Sequence, residues 1–402
     1  MSTTPDGVDD ALTENDVRLL YRALLGRDAS GADVTHHMTH SRNTREFLDI
    51  VFSSTEYATR NPSARQDASA PEALLVNCWH PDLAQWTHPP GLRSPDDVAI
   101  VGHEGWIFIR GGSNQYVPQY TGELEMAEDW LGAWEDLIGQ RQREAAAIGC
   151  RLESLVVPEK VAINVEHYPE PLTPVGPRPI ERLLQAGLPL RYPLEALRAA
   201  RADAPVCLRT DSHLTVHGNR VLHEELLRDL GAPPVTAEDL PPSRSYLSCG
   251  DLGSRFSPRA LEVSSTPLAM GRTTLVEDNW GAIMRTGGHI GTRRVYSSPD
   301  APDPRRVVLF GDSYGFGAES YQGTAWFLAQ AFRETHFVWA PFGWDPGYVE
   351  AVGADVVVSQ TAERFVARVP LARVDVGALA AEALARDTFV AVDDVFADTD
   401  RV

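Results

Sequence analysis

Val307-Val-Leu-Phe-Gly-Asp-Ser-Tyr-Gly315 reads as a short buried strand that runs into a tight turn flanked by glycines. The apolar run Val307 to Phe310 suits a strand covered on both faces. Ser313 then falls at the carboxyl end of that strand, where open α/β sheets place their ligand and catalytic groups. Gly311 and Gly315 allow close backbone approach and a sharp bend. The backbone N–H groups of Ser313 and its neighbour are candidates to meet a developing oxyanion. Downstream the alternation continues, with a helical pattern over Thr324 to Phe332, a strand at Phe337 to Trp339, a helix at Tyr348 to Val352 and a strand at Val356 to Val358. Such alternation predicts a parallel sheet covered by helices.

A serine nucleophile needs a base, and the base needs an orienting group. Among the 12 histidines, His213 stands in Thr210-Asp-Ser-His-Leu-Thr-Val-His-Gly218, just after the apolar run Val206-Cys-Leu208. In an extended segment residues i and i+2 face the same way, so Asp211 and His213 are expected to point into one cleft. His217 is the rival base, but it lacks an acidic residue two positions earlier and is expected in the following helix. The alternative for Asp211 and His213 is a hydrogen-bonded loop pair.

Gly-Asp-Ser together with Asp-x-His resembles the SGNH (GDSL) hydrolase superfamily. Here Asp211-x-His213 precedes Ser313, whereas most of that superfamily carries the serine first. That order, with Gly102-His-Glu-Gly-Trp-Ile-Phe-Ile109, Pro158-Glu-Lys160 and Tyr168-Pro-Glu170, resembles the alginate O-acetyltransferase type of SGNH-like domain over about residues 95–370. The resemblance implies an acyl donor and a carbohydrate or glycosylated small-molecule acceptor. Leu214 stands where that type usually has tryptophan, and no separate carbohydrate-binding module follows.

Tyr314 and Gly315 beside the serine, Arg364 in Ser359-Gln-Thr-Ala-Glu-Arg364, and Lys160, the only lysine, are candidate substrate-binding residues. Arg364 can instead form a structural pair with Glu363, and Lys160 can be structural. Trp79, Trp86, Trp106 and Trp344 are candidates to stack on sugar rings, with burial in the core the alternative.

Residues 13–60 read as a small helical module. Thr13 and Asp16 suggest a capping box, Val17, Leu20, Tyr21 and Leu24 share one helical face, and Gly26 fits a helix stop. Asp28 to Gly31 reads as a turn and Thr44 to Phe52 as a second helix. Leu20-Tyr-Arg-Ala-Leu-Leu-Gly-Arg27, Phe52-Ser-Ser54 and Glu56-Tyr57 resemble a small helical domain found beside bacterial carbohydrate-related enzymes. The likeness implies a docking module for a protein partner or a structural appendage. Residues 61–72 are polar, carry two prolines and read as a linker. The main domain is expected over 73–370, with a hairpin at Val98-Ala-Ile-Val101 and Trp106-Ile-Phe-Ile109. A helix over 123–148 carries Trp130, Trp134, Leu137 and Ile138 on one stripe, and the strand Leu155-Val-Val157 follows. Residues 371–402 are an acidic tail with an alanine-rich helix near 377–386.

The 56 acidic and 36 basic residues leave a formal charge of −20 in 402 residues. That balance argues against nucleic-acid and anionic-membrane partners. No stretch reaches the roughly 18 apolar residues of a membrane span. Met1 to Asp10 has neither the positive charge nor the apolar core of a secretory signal, so a cytoplasmic location is expected. Cys78, Cys150, Cys207 and Cys249 lack metal-ligand spacing and read as free thiols.

The sequence therefore predicts an α/β, SGNH-hydrolase-like parallel sheet sandwiched by helices, with a β-hairpin addition, behind a small all-α module. The expected chemistry is acyl transfer through Ser313, His213 and Asp211, with no metal and no organic cofactor implied. An O-acetylesterase with the same triad, and a catalytically silent binding scaffold, are the alternatives.

Overall fold

The structure is a computed structural model. It describes residues 12, 14–25, 27–42, 46–47, 50–51, 54–60, 88–112, 114–236, 239–241, 243–248, 250–256, 260, 262–267, 269–286, 288–317 and 323–385. Its strands are β1 (Ala99–Val101), β2 (Ile107–Ile109), β3 (Arg151–Val157), β4 (Leu190–Arg191), β5 (Ser243–Ser248), β6 (Glu262–Pro267), β7 (Thr274–Asp278), β8 (Arg293–Ser297), β9 (Asp303–Gly311), β10 (Phe332–Trp339) and β11 (Val356–Ala362).

Seven strands form one sheet in the order β4-β3-β11-β9-β10-β8-β7. The pairs from β4 to β10 are parallel, as the alternating pattern predicts. β8 and β7 extend the sheet antiparallel, an addition the sequence reading did not contain. The predicted hairpin is present as the antiparallel pair β1–β2, and β5–β6 makes a second separate pair.

Strand parity divides the core into two layers. Val307 and Leu309 of β9 join a cluster with Leu155, Leu214, Leu226, Leu328, Phe337 and Trp339 on one face. Val308 and Phe310 face the other way, against Val338, Trp344, Val349 and Val357. Successive strand residues point to opposite faces, so a sheet covered twice needs an unbroken apolar run. Helices Val216–Leu230 and Thr324–Ala331 cover the first face, and Trp130–Ala147 and Pro346–Val352 the second. The predicted stripe of Trp130, Trp134, Leu137 and Ile138 is buried there.

The N-terminal segment has its own core of Val17, Leu20, Tyr21, Leu25, Val34, Phe47 and Val51. Helices Glu14–Leu25 and Thr55–Arg60 flank a helix at Gly31–His40, where the sequence reading ended at a turn. Ser30 caps that extra helix in a capping box with Asp33. Thr13, Gly26, the Thr44 start of the second helix and the 61–72 linker lie outside the described residues. Among the described residues no helix is long and apolar enough to cross a membrane.

Candidate active site

β9 delivers Ser313 to the carboxyl edge of the sheet. The chain leaving β9 runs to β10 on one side, while β3 leads to β4 on the other, so this edge holds a change of winding direction. Asp312 fixes the turn. It is 2% exposed, and its carboxylate accepts from Tyr314 N–H at 3.0 Å, Gln360 Nε2 at 2.7 Å and Ala362 N–H at 2.7 Å. The turn is thus bolted to β11. A Cβ at Gly311 or Gly315 would lie 2.5 or 2.8 Å from Gln360 Oε1, which explains glycine at both places. Tyr314 N–H is spent on Asp312, so of the two N–H groups named above only that of Ser313 is left for an oxyanion. Among the described residues the Ser313 N–H and Oγ have no hydrogen-bond partner.

The Asp211–His213 loop is built differently from the extended segment expected. Residues 210–213 form a bend, and Asp211 Oδ1 accepts from both His213 N–H at 2.9 Å and His213 Nδ1 at 2.6 Å. One carboxylate oxygen thereby sets the backbone turn and the imidazole tautomer together. Glu262 supports the approach, accepting from Arg209 N–H, Thr210 N–H and Thr210 Oγ1 at 2.7, 2.8 and 2.7 Å. Asp251 supports the bend itself, accepting from Ser212 N–H at 2.7 Å and Ser212 Oγ at 2.6 Å, while its own N–H donates to Asp211 Oδ2 at 3.1 Å.

The two segments meet through Tyr314. Its hydroxyl donates to Ser212 O at 2.7 Å, and the His213 ring lies 4.8 Å from its ring. His217 is in helix Val216–Leu230, and its Nε2 bonds Ala200 O at 3.1 Å, away from this meeting.

Burial opposes a charge on His213, but the Asp211 carboxylate outweighs it and pushes the imidazole up to about 9. Burial also opposes charge on Asp211, yet the imidazolium and the two hydrogen bonds from His213 hold it well below the usual carboxylate range.

A buried polar network backs the site. Arg364 donates to Glu159 at 2.5 Å, whereas Glu363 takes Arg178 at 2.9 Å and Tyr192 at 2.7 Å. Glu363 and Arg364 therefore do not pair with each other; they close two separate contacts, and the Arg364 guanidinium lies 5.7 Å from the Tyr314 ring. Lys160 is 3% exposed, and its ammonium is occupied by Ile107 O at 2.6 Å and Arg209 O at 3.1 Å. It ties β2 to the start of the Asp211 loop, the structural one of the two roles the sequence left open. Tyr314 and Gly315 are buried as well and shape the turn that carries Ser313. Trp106 and Trp344 are core residues; Trp79 and Trp86 lie outside the described residues. Cys150 and Cys207 are buried free thiols, and Cys78 and Cys249 lie outside the described residues.

Asp312, Asp251, Glu262 and Gln360 were missed by sequence reasoning. Asp312 alone carried a signal, its place in Gly-Asp-Ser. Asp211, His213 and Asp251 bring ligand-type atoms within 4.8 Å of one another. These carboxylates already accept from His213, Ser212 and the Asp251 N–H, so the cluster is bonded internally.

No protein-family model and no curated protein matches the chain. Solved structures do. The O-acetyltransferase domain of Pseudomonas putida AlgJ is similar at 17% identity and a TM-score of 0.41, over 72% of this chain and 99% of that one. Bacillus cereus PatB1 is similar at 12% identity and a TM-score of 0.44, over 69% and 98%. A DHHW family protein from Eubacterium siraeum is similar at 13% identity and a TM-score of 0.47, over 67% and 92%.

Proposed function

We propose that the chain is a serine-dependent O-acyltransferase that passes an acyl group through Ser313 to a hydroxyl of a carbohydrate or glycosylated metabolite. The observation that carries this reading is the junction of Tyr314 with Ser212, which brings the Ser313 turn to a histidine already paired with a carboxylate. Neutral His213 accepts the Ser313 proton as Oγ attacks the acyl carbonyl, and Asp211 stabilises the imidazolium that forms. The Ser313 N–H is the donor left to meet the oxyanion. His213 then returns its proton to the departing donor oxygen, leaving an ester on Ser313. In the second half the acceptor hydroxyl loses its proton to His213 and attacks that ester; the acyl–Oγ bond breaks, and His213 returns the proton to Ser313 Oγ.

The preference for an acetyl group and a sugar rests on the sequence resemblance of the Gly102–Ile109, Pro158–Lys160 and Tyr168–Glu170 blocks. The test is mass spectrometry of products formed from an activated acetyl ester, with and without sugar acceptors. Acetylated sugar supports the transferase. Acetate alone assigns an esterase, and absence of any acetyl-enzyme rejects both in favour of a silent scaffold.

A further inference from the structure

Three aromatic rings stack against one another at the carboxyl end of the sheet. Trp339 closes β10 in register with Gly311, two residues before Ser313. β8 runs antiparallel to both β10 and β7, so the β7–β8 connection returns to that same end of the sheet. That connection supplies Trp280 and His289. The Trp280 and Trp339 rings are 4° from parallel with centroids 6.0 Å apart. His289 lies 4.8 Å from Trp339 at 20° and 5.9 Å from Trp280 at 16°. Phe316, three residues after Ser313 on the same turn, touches Trp280 at 4.5 Å and Trp339 at 5.1 Å. Residues i and i+3 of a helical turn are neighbours, so this group abuts the nucleophile's own turn.

The group differs from the core aromatics. Trp134, Trp326 and Trp344 are fully buried, whereas Trp280 and His289 are only partly covered. Trp339 is the buried member of the group and backs the other two. An acetyl methyl needs space for one carbon, while a partly exposed indole such as Trp280 matches the flat C–H face of a sugar ring. The charge of the surroundings narrows the class. The flanking Arg293 and Arg294 are paired with Glu277 at 2.5 Å and Asp278 at 3.2 Å, and the chain carries −20 overall, so a polyuronate is disfavoured.

We infer that Trp280 and His289, backed by Trp339, form the platform on which the pyranose ring of an uncharged acceptor stacks beside Ser313. This subsite rests on the acyl-transfer reading, and the test separates the two. Saturation-transfer NMR is run on the full chain with the methyl glycosides of glucose, mannose and galactose and with methyl glucuronide. Acetyl-enzyme formation by the wild type from 4-nitrophenyl acetate is followed separately by intact mass. The expected result is transfer to at least one neutral glycoside and weaker transfer to the glucuronide. Trp280→Ala weakens the neutral glycoside about tenfold or more, Trp280→Phe retains most of its binding, and both melt near wild type. Wild type that binds none of the neutral glycosides, or Trp280→Ala that binds them unchanged, overturns the platform even if the acetyl-enzyme forms. Glycoside binding that depends on Trp280 without any acetyl-enzyme leaves the platform standing and overturns the chemistry instead.

Discussion

The Tyr314 hydroxyl lies 2.7 Å from the carbonyl oxygen of Ser212, joining the residue after the proposed nucleophile to the residue before the proposed base across 102 positions of sequence. The bond crosses between the β9 turn and the Asp211 bend. Tyr314→Phe keeps the ring against His213 and removes only this tie. A buried carbonyl without its donor costs about 1–3 kcal/mol, so the variant is expected to melt lower but cooperatively. Turnover is expected to fall by about tenfold or more through kcat, because a misplaced base weakens the transition state more than substrate binding. Denaturant titration and acetyl-ester kinetics check this. An unchanged kcat separates the tie from catalysis.

The Asp211 carboxylate sets the direction of the pH profile. An unperturbed imidazole titrates near about 6.5. With His213 raised to about 9, the neutral imidazole gains population as pH rises, so kcat/KM of the wild type is expected to climb through the alkaline range toward about 9. Asp211→Asn removes the charge that raises His213 and favours the wrong tautomer. Its basic limb is expected to shift down, and turnover to drop about 10⁴-fold, as in triad enzymes generally. A limb that stays in place overturns the assignment of Asp211.

Linkage fixes the stability change that accompanies it. His213 is raised on folding, so its contribution is fully present below its unfolded value of about 6.5 and is lost as pH climbs through about 9. The melting temperature of wild type is therefore expected to fall over that window relative to Asp211→Asn. Parallel thermal melts at pH 6 and pH 9 read this difference.

Ser313→Ala removes a hydroxyl that bonds to no protein group among the described residues, while Asp312 and Gln360 keep the turn. Melting is expected to stay within a few degrees of wild type, and acetyl-ester turnover to vanish with no acetyl-enzyme in the intact mass. Wild-type turnover by this variant moves the reaction to another site.

The parallel strands were legible because a strand covered on both faces must be apolar without interruption, as Val307–Phe310 and Val356–Val358 are. β7 and β8 were not, because Thr-Leu-Val-Glu-Asp at the open edge and Arg-Arg-Val-Tyr-Ser beside it mix charge with apolar residues and carry no clear period. Asp211 and His213 were legible by spacing. Asp251 and Glu262 were not, since each stands 39 to 53 positions from the backbone groups it holds and no local pattern marks it. Lys160 shows the same limit: a lone lysine in a motif reads as a contact or as structure, and only its two carbonyl partners reveal a tie.

We propose that the N-terminal module is separable. Residues 13–60 hold a core of their own, and the proposed 61–72 linker contributes nothing apolar beyond alanine and proline. Helix Glu14–Leu25 nevertheless lies against β5. β5 pairs with β6, and β6 carries Glu262, which holds Arg209 and Thr210 at the start of the Asp211 bend. Deleting residues 1–70 is therefore expected to leave a cooperatively melting main domain, because its sheet and two core layers are complete without the module. The same deletion uncovers one side of the β5–β6 pair, so acetyl-ester turnover is expected to fall by less than about tenfold, with the basic limb of the pH profile unmoved. Glu262→Gln in the full chain supplies the comparison: it weakens the carboxylate acceptor directly and is expected to cost more turnover than the deletion. An aggregated truncation, or a deletion that abolishes turnover while Glu262→Gln does not, shows that the module is part of the main core and sets the bend by a route other than β6.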